Sequence, residues 1–239
     1  MKLPQRIAAL AVFAGAGIPA TLMAQAYPIK SIRVLVGFPP GGSTDAVARI
    51  LAQVLTQTLG QPVLVENRPG ADGAIAGELV VRSEPDGHTY FLASNTPMMQ
   101  VPLLKKNPPY DPIKQFTPVT LVGRYIYVLV AGAQLPVQNA QELLQLIRTQ
   151  PGKFNYGSYS GVTQLMFTRL KNEAKLDMNL IPYKGESPTI NDILGGHVQL
   201  PFATPASALP HIKDGKLKAL AVLLPKRWNL LPQVPTAVE

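Results

Sequence analysis

The chain has 239 residues, with 22 Lys and Arg against 14 Asp and Glu, a formal net charge of +8 and no cysteine. A hydrophobic fraction of 46% with only 15% charge excludes a disordered chain, and the missing thiols exclude disulfides, thiol catalysis and Cys-ligated zinc. Basic residues stand singly apart from Lys105-Lys106 and Lys226-Arg227, which leaves no stripe for a nucleic acid and only a mild positive field favouring small anions.

Residues 1–26 have the order of a secretory signal: Lys2 and Arg6, a short apolar segment from Ile7 to Gly17, then Ala24-Gln25-Ala26 before Tyr27. Removing the two charges of Lys2 and Arg6 leaves +6. No Cys follows, so the expectation is a soluble periplasmic protein and not a lipoprotein. Ile32 to Val36 predicts a strand, and "GFPPGGSTDAVAR" comes next. It nearly spells the phosphate loop G-x-x-x-x-G-K-[ST], but Ser43 stands where a Lys must reach the phosphates, and Pro39 and Pro40 carry no N–H. What remains is a stiff turn and a helix opened by Ser43, Thr44 or Asp45. Backbone exposed there suits a carboxylate or similar anion; equally, Gly41-Gly42 can simply turn the chain and the hydroxyls simply cap the helix.

Asp45 to Leu59 has helical spacing of apolar residues and stops at Gly60. Val63 to Val65 predicts a strand, Ala74 to Arg82 a helix of small residues, and Thr89 to Ala93 a third strand closing on Ser94-Asn95-Thr96. This βαβαβ order predicts a mostly parallel sheet covered by helices. A Pro-rich loop is expected from Val101 to Pro118. The apolar stretch Val119 to Ala131, broken by Gly123-Arg124, is long enough to pass from one sheet to another. The alternation then resumes, with helices at Asn139–Thr149, Val162–Ala174, Ser187–Leu194 and Pro205–Lys213. Strands are expected at Phe154–Gly157, Leu180–Pro182, Val198–Phe202 and Leu217–Leu223. The prediction is a hinged clamp of two α/β lobes, residues 27–122 and 123–223, with 224–239 returning to the first and the cleft at the carboxyl ends of the strands.

Loops facing such a cleft are rich in glycine and small hydroxyls and poor in charge, which suits neutral hydrogen bonding rather than acid–base chemistry. His88, His197 and His211 lie far apart, each in a structural or surface setting, and no metal motif occurs. "GSYSG" places Tyr159 where a hydrolase elbow needs Ser. No catalytic residue, metal or cofactor is expected.

The stretch "YPIKSIRVLVGFPPGGSTDAVARILAQVLTQTLGQPVLVENRPGADG" resembles the start of the Bug-type extracytoplasmic solute receptors, the substrate-binding proteins of tripartite tricarboxylate transporters. "PDGHTYFLAS", "PYDPIKQFTPV", "PGKFNYGSYSG", "IPYKG", "DILGGHV", "GKLKALAV" and "LPQVPT" extend the resemblance through the mature chain. It implies a two-lobed type II periplasmic-binding fold, a Venus flytrap, that binds a small carboxylated solute without reaction. It implies a monomer serving the membrane components of such a transporter or a sensor protein. The solute's carboxylate would be held by the loop Ser158–Gln164, through Ser158, Ser160, Gly161, Val162, Thr163 and Gln164. Ordered waters would bridge it to backbone carbonyls of Phe38, Pro39, Pro40, Gly41 and Gly42. Ser94, Asn95, Thr96, Tyr183, Lys184 and Ala203 would line the remainder. Two departures stand out: Gln164-Leu165 replaces the family's common His-Leu, and the chain stops at "LPQVPTAVE" where relatives continue. The expectation is a first lobe lacking its C-terminal completion and exposing apolar surface. The alternatives are a truncated, non-functional remnant and an exported hydrolase using Ser158 or Ser160 with His88 or His197 as base.

Overall fold

The computed structural model describes residues 27–239, so the signal segment falls outside the described residues. The apolar run β1 (Ile32–Val36) sits between β2 (Val63–Asn67) and β3 (Thr89–Phe91) in a three-stranded parallel sheet. Between β1 and β2 runs α1 (Ser43–Leu59), ended by Gly60 at φ 68°, a left-handed conformation that glycine adopts without steric cost. Between β2 and β3 runs α2 (Ala74–Val81). The core of this lobe is small: Ile32, Ala52 and Val63 make one cluster, Ala74, Val101 and Tyr110 another. On its outer side Ile50 and Val54 of α1 and Leu64 of β2 stay exposed.

The Pro-rich loop expected from Val101 is partly helical. A π-type turn spans Thr96–Gln100 and leads into α3 (Val101–Leu104). Pro97 stands in the first turn of this helical run, where a missing N–H has no intrahelical partner to lose. The apolar stretch 119–131 is also shorter as a strand than its composition predicts. Only β4 (Val128–Gly132) joins a ladder, because its partner strands lie alongside from Val128 onward, while Val119 and Leu121 remain exposed.

The second sheet has the order β6-β5-β7-β4-β8, with β5 (Asn155–Ser158), β6 (Asn179–Pro182), β7 (Leu200–Ala203) and β8 (Leu217–Val222). β5 runs parallel to β6 and β7, whereas β4 is antiparallel to β7 and β8. Its helices are α4 (Ala140–Thr149), α5 (Gly161–Ala174), α6 (Glu186–Leu194) and α7 (Pro205–Lys213). β4 is buried on both faces: Leu129 and Ala131 join the cluster around Phe167, while Val128 and Val130 join one with Ile190 and Ile193. Phe167 is sealed from solvent, its ring centroid 4.4 Å from those of both Tyr156 and Phe202.

Residues 224–239, expected to return to the first lobe, instead pack on the second sheet. The Val222 N–H donates to the Pro235 carbonyl at 2.9 Å and the Ala237 N–H to the Val222 carbonyl at 3.0 Å. Leu231 and Val234 are buried with Val128 and Val130, and Trp228 packs against them. The reason is that these apolar side chains find cover on the face that β4 and β8 present.

Candidate functional site

The hollow at the carboxyl ends of the strands is built from the first turns of four helices. Gly42, Ser43 and Thr44 open α1, Ser160 caps α5, Glu186 opens α6 and Thr204 caps α7, and all of them line it. Phe38, Pro39, Ser94, Asn95 and Thr96 line the first-lobe side, and Tyr125, Tyr127 and Tyr159 complete the wall. The enclosed volume is ≈ 30 Å³, room for about two water molecules. A dicarboxylate is larger than this volume.

On the first lobe the turn after β1 is fastened from several sides. Gly37 lies against Gly73, where an added Cβ would come within 2.6 Å of the Gly73 Cα. Asn67 Nδ2 donates to the Phe38 carbonyl at 3.0 Å, and the Gly41 N–H donates to Asp45 Oδ2 at 3.0 Å. Burial alone would raise the Asp45 carboxyl, but the Arg49 guanidinium and the Gly41 N–H hold it below the usual range. Asp45 thus ties the turn to the helix.

On the second lobe Ser160 and Thr163 form a reciprocal cap of α5. The Thr163 hydroxyl donates to the Ser160 carbonyl at 2.9 Å and accepts from the Tyr159 and Ser160 N–H groups at 3.3 and 3.2 Å. The Ser158 hydroxyl lies 2.9 Å from it. Ser158 and Thr163 are buried inside this network and shape the loop without reaching the hollow.

Glu186 is buried and accepts from Ser207 Oγ at 2.6 Å, from Thr204 Oγ1 at 3.0 Å, from the Thr204 N–H and, across the cleft, from the Ser43 N–H at 3.4 Å. The Thr44 and Tyr125 hydroxyls meet at 2.6 Å. Burial first, and the nearby Glu186 carboxylate second, push the Tyr159 hydroxyl well up. Tyr125 and Tyr127 are likewise raised, chiefly by burial. All three are hydrogen-bond donors at neutral pH. No Lys, Arg or His lines the hollow among the described residues, which makes Glu186 its one formal charge.

Of the residues expected to hold a solute, Phe38, Pro39, Gly42, Ser94, Asn95, Thr96 and Ser160 are brought together here. Pro40 and Gly41 belong to the same turn without lining the hollow, and Gly41 faces Ser187 instead. Gly161 packs against Gln100, Val162 and Gln164 ride on the first turn of α5, and Gln164 is exposed. The Tyr183 hydroxyl donates to Asp192 Oδ2 at 2.6 Å, Lys184 is exposed, and Ala203 is buried in β7. Sequence reasoning set Tyr159 and Thr204 in cleft-facing loops and Ser43 and Thr44 at the opening of α1 without assigning them to the solute, and it missed Tyr125, Tyr127 and Glu186 as wall residues. A signal existed for the tyrosine pair, since Tyr125 and Tyr127 alternate on the passage between lobes and therefore share a side.

Chemically the site can bind and enclose. No His is a hydrogen-bond partner of Ser158 or Ser160, and no group of three His, Cys, Asp or Glu could hold a metal, among the described residues. No described helix is long and apolar enough to cross a membrane.

Residues 47–239 match the family described as tripartite tricarboxylate transporter family receptor. Protein BugT of Bordetella pertussis is 37% identical over 243 residues, an alignment covering 100% of this chain and 74% of that protein. Among solved structures, a protein of R. palustris with adipate superposes with a TM-score of 0.82 at 30% identity, covering 89% of this chain and 72% of the other. MatC from Rhodopseudomonas palustris with bound malate gives 0.80 at 31%, covering 89% and 73%.

Proposed function

Because this chain belongs to the tripartite tricarboxylate transporter receptor family, it is a solute-binding receptor and not an enzyme, and we propose that it captures a small carboxylate-bearing solute between its lobes. The observation that carries the reading is the convergence of four helix starts, from both lobes, on one hollow. Helix N-termini present free N–H groups and a positive dipole end that favour an anion; Glu186 already meets the starts of α1 and α7, which leaves the start of α5 for a solute's carboxylate. The adipate and malate held by the two R. palustris structures support the same class of solute.

Residues 27–122 act as the first jaw and 123–223 as the second, and the antiparallel passage beside Tyr127 and Leu223 acts as the hinge. Solute contacts from both jaws shift the population toward the closed form. The secretory order of residues 1–26 supports a periplasmic location. Delivery to the membrane components of a tripartite tricarboxylate transporter, or to a sensor, follows from the family. Isothermal titration against dicarboxylates, tricarboxylates, nicotinate-like acids and acidic amino acids tests the proposal. Micromolar or tighter binding of at least one is expected, and no heat with any, from a sample that melts cooperatively, refutes it.

A further inference from the structure

Glu186 is out of place in a hollow meant for an anion. It is only 5% exposed and is the one formal charge on the wall. Three of its four donors, the Thr204 N–H, the Thr204 hydroxyl and the Ser207 hydroxyl, belong to the second lobe, so the carboxylate is held in position by its own jaw. The fourth, the Ser43 N–H, reaches Oε2 from the other jaw at 3.4 Å, the long limit of a hydrogen bond. Oε2 therefore has one firm donor, the Thr204 hydroxyl, and one long contact on the cleft side that a better donor can replace. The starts of α1 and α7, which would otherwise draw a solute's carboxylate, already face an anion that the protein supplies.

A second observation points the same way. The Tyr159 hydroxyl is sealed from solvent, lines the same hollow and makes no hydrogen bond of ordinary length, although the Glu186 carboxylate stands close enough to act on it. Such a buried hydroxyl takes a partner from whatever fills the hollow, a water or a solute atom. Beside it the Tyr125 and Tyr127 rings lie nearly parallel, with centroids 6.1 Å apart. A carboxylate, a free hydroxyl oxygen and aromatic faces together make surroundings for a cation. A solute with a carboxylate at each end would bring one of them against Glu186 with no basic side chain on the wall to offset it.

Building on the receptor reading above, we propose that Glu186 selects solutes carrying a protonated amine at the end opposite their carboxylate. The amine donates to Glu186 Oε2 and to the Tyr159 hydroxyl, while the carboxylate lies toward Ser160 and the start of α5.

Matched pairs of solutes test this by titration calorimetry: 4-aminobutyrate against succinate and 5-aminopentanoate against glutarate, which differ in one terminal group. The parent protein should bind the amine-bearing member at least about tenfold more tightly, given the sign and size of a single charge contact in a partly buried site. Glu186→Gln should reduce that ratio about tenfold or more, by weakening the amino acid and strengthening the dicarboxylate. Tyr159→Phe, which removes no hydrogen bond of ordinary length, should lower the ratio several-fold with little change in melting temperature, and it serves if Glu186→Gln does not fold. A parent protein that prefers the dicarboxylates, or a ratio that neither substitution moves, overturns the assignment while leaving the receptor reading intact. No binding of any carboxylate, in these pairs or in the wider panel, overturns both.

Discussion

Replacing Thr163 by valine removes one hydroxyl from the interior of the second lobe and little else, since the two side chains have nearly the same shape. Thr163 is fully buried, so the lost interactions are not replaced by water. The Tyr159 and Ser160 N–H groups, at 3.3 and 3.2 Å, lose their acceptor, and the Ser158 hydroxyl loses a partner at 2.9 Å. Ser158 still donates to the Ser160 carbonyl at 3.1 Å, and that carbonyl still accepts from the Gln164 N–H at 3.0 Å. Only the two N–H groups are orphaned. Their bonds are long, which puts each near the lower end of the 1–3 kcal/mol penalty and the total at about 2–3 kcal/mol. For a chain of this size that is a fall in melting temperature of about 5–10 °C. Thermal melts followed by circular dichroism measure it, with Thr163→Ser as the companion that keeps the hydroxyl and loses only a methyl, at about 1 kcal/mol. A Thr163→Val protein melting within a degree of its parent refutes the reasoning. So does a Thr163→Ser protein that is equally destabilised, because the methyl and not the hydroxyl would then carry the effect.

The core and the turns yield further expectations. Phe167→Ala opens a cavity between Tyr156 and Phe202 and should cost about 3–5 kcal/mol in urea unfolding; a loss under 1 kcal/mol would mean that the rings do not pack as described. Gly37→Ala drives a methyl into the Gly73 backbone and should cost about 1–3 kcal/mol, whereas Gly161→Ala meets only the movable end of Gln100 and should stay within about 0.5 kcal/mol. Equal midpoints for the two variants would contradict this contrast. Glu66 is held down to about 2, from an ordinary 4.5, by Arg33 first and by Arg68 with it, against a burial effect of opposite sign. Its folded pKa lies below its unfolded one, so its contribution is complete above about pH 4.5 and is lost as the pH falls through about 2. Arg33 is nearly half exposed, so solvent screening reduces that contribution to the order of 1 kcal/mol. The stability gap between the parent and Glu66→Gln should therefore shrink between pH 6 and pH 2.5, and a gap independent of pH would rule the pair out as its source.

The amino-acid order by itself determined the alternation of strands and helices, because the cues are local. A period of two or of 3.6, a Gly60 that ends α1 and a Ser160 that begins α5 act over four residues or fewer. The same cues placed the turn at Phe38–Gly42 and the loop at Ser94–Thr96 at strand ends, where a cleft forms. They could not say which side chains would face it. Ser158 and Thr163 have the same hydroxyl chemistry as Ser160, yet only packing decides that they are spent on each other while Ser160 meets the hollow. Nor could they place residues 224–239, whose apolar groups fit either lobe by composition and take the second because β4 and β8 offer the cover there. The wall itself is a tertiary product: Ser43 meets Glu186 across 143 residues of chain, and Thr44 meets Tyr125 across 81. No local pattern encodes such a meeting, because it arises only when two separately folded lobes are brought face to face.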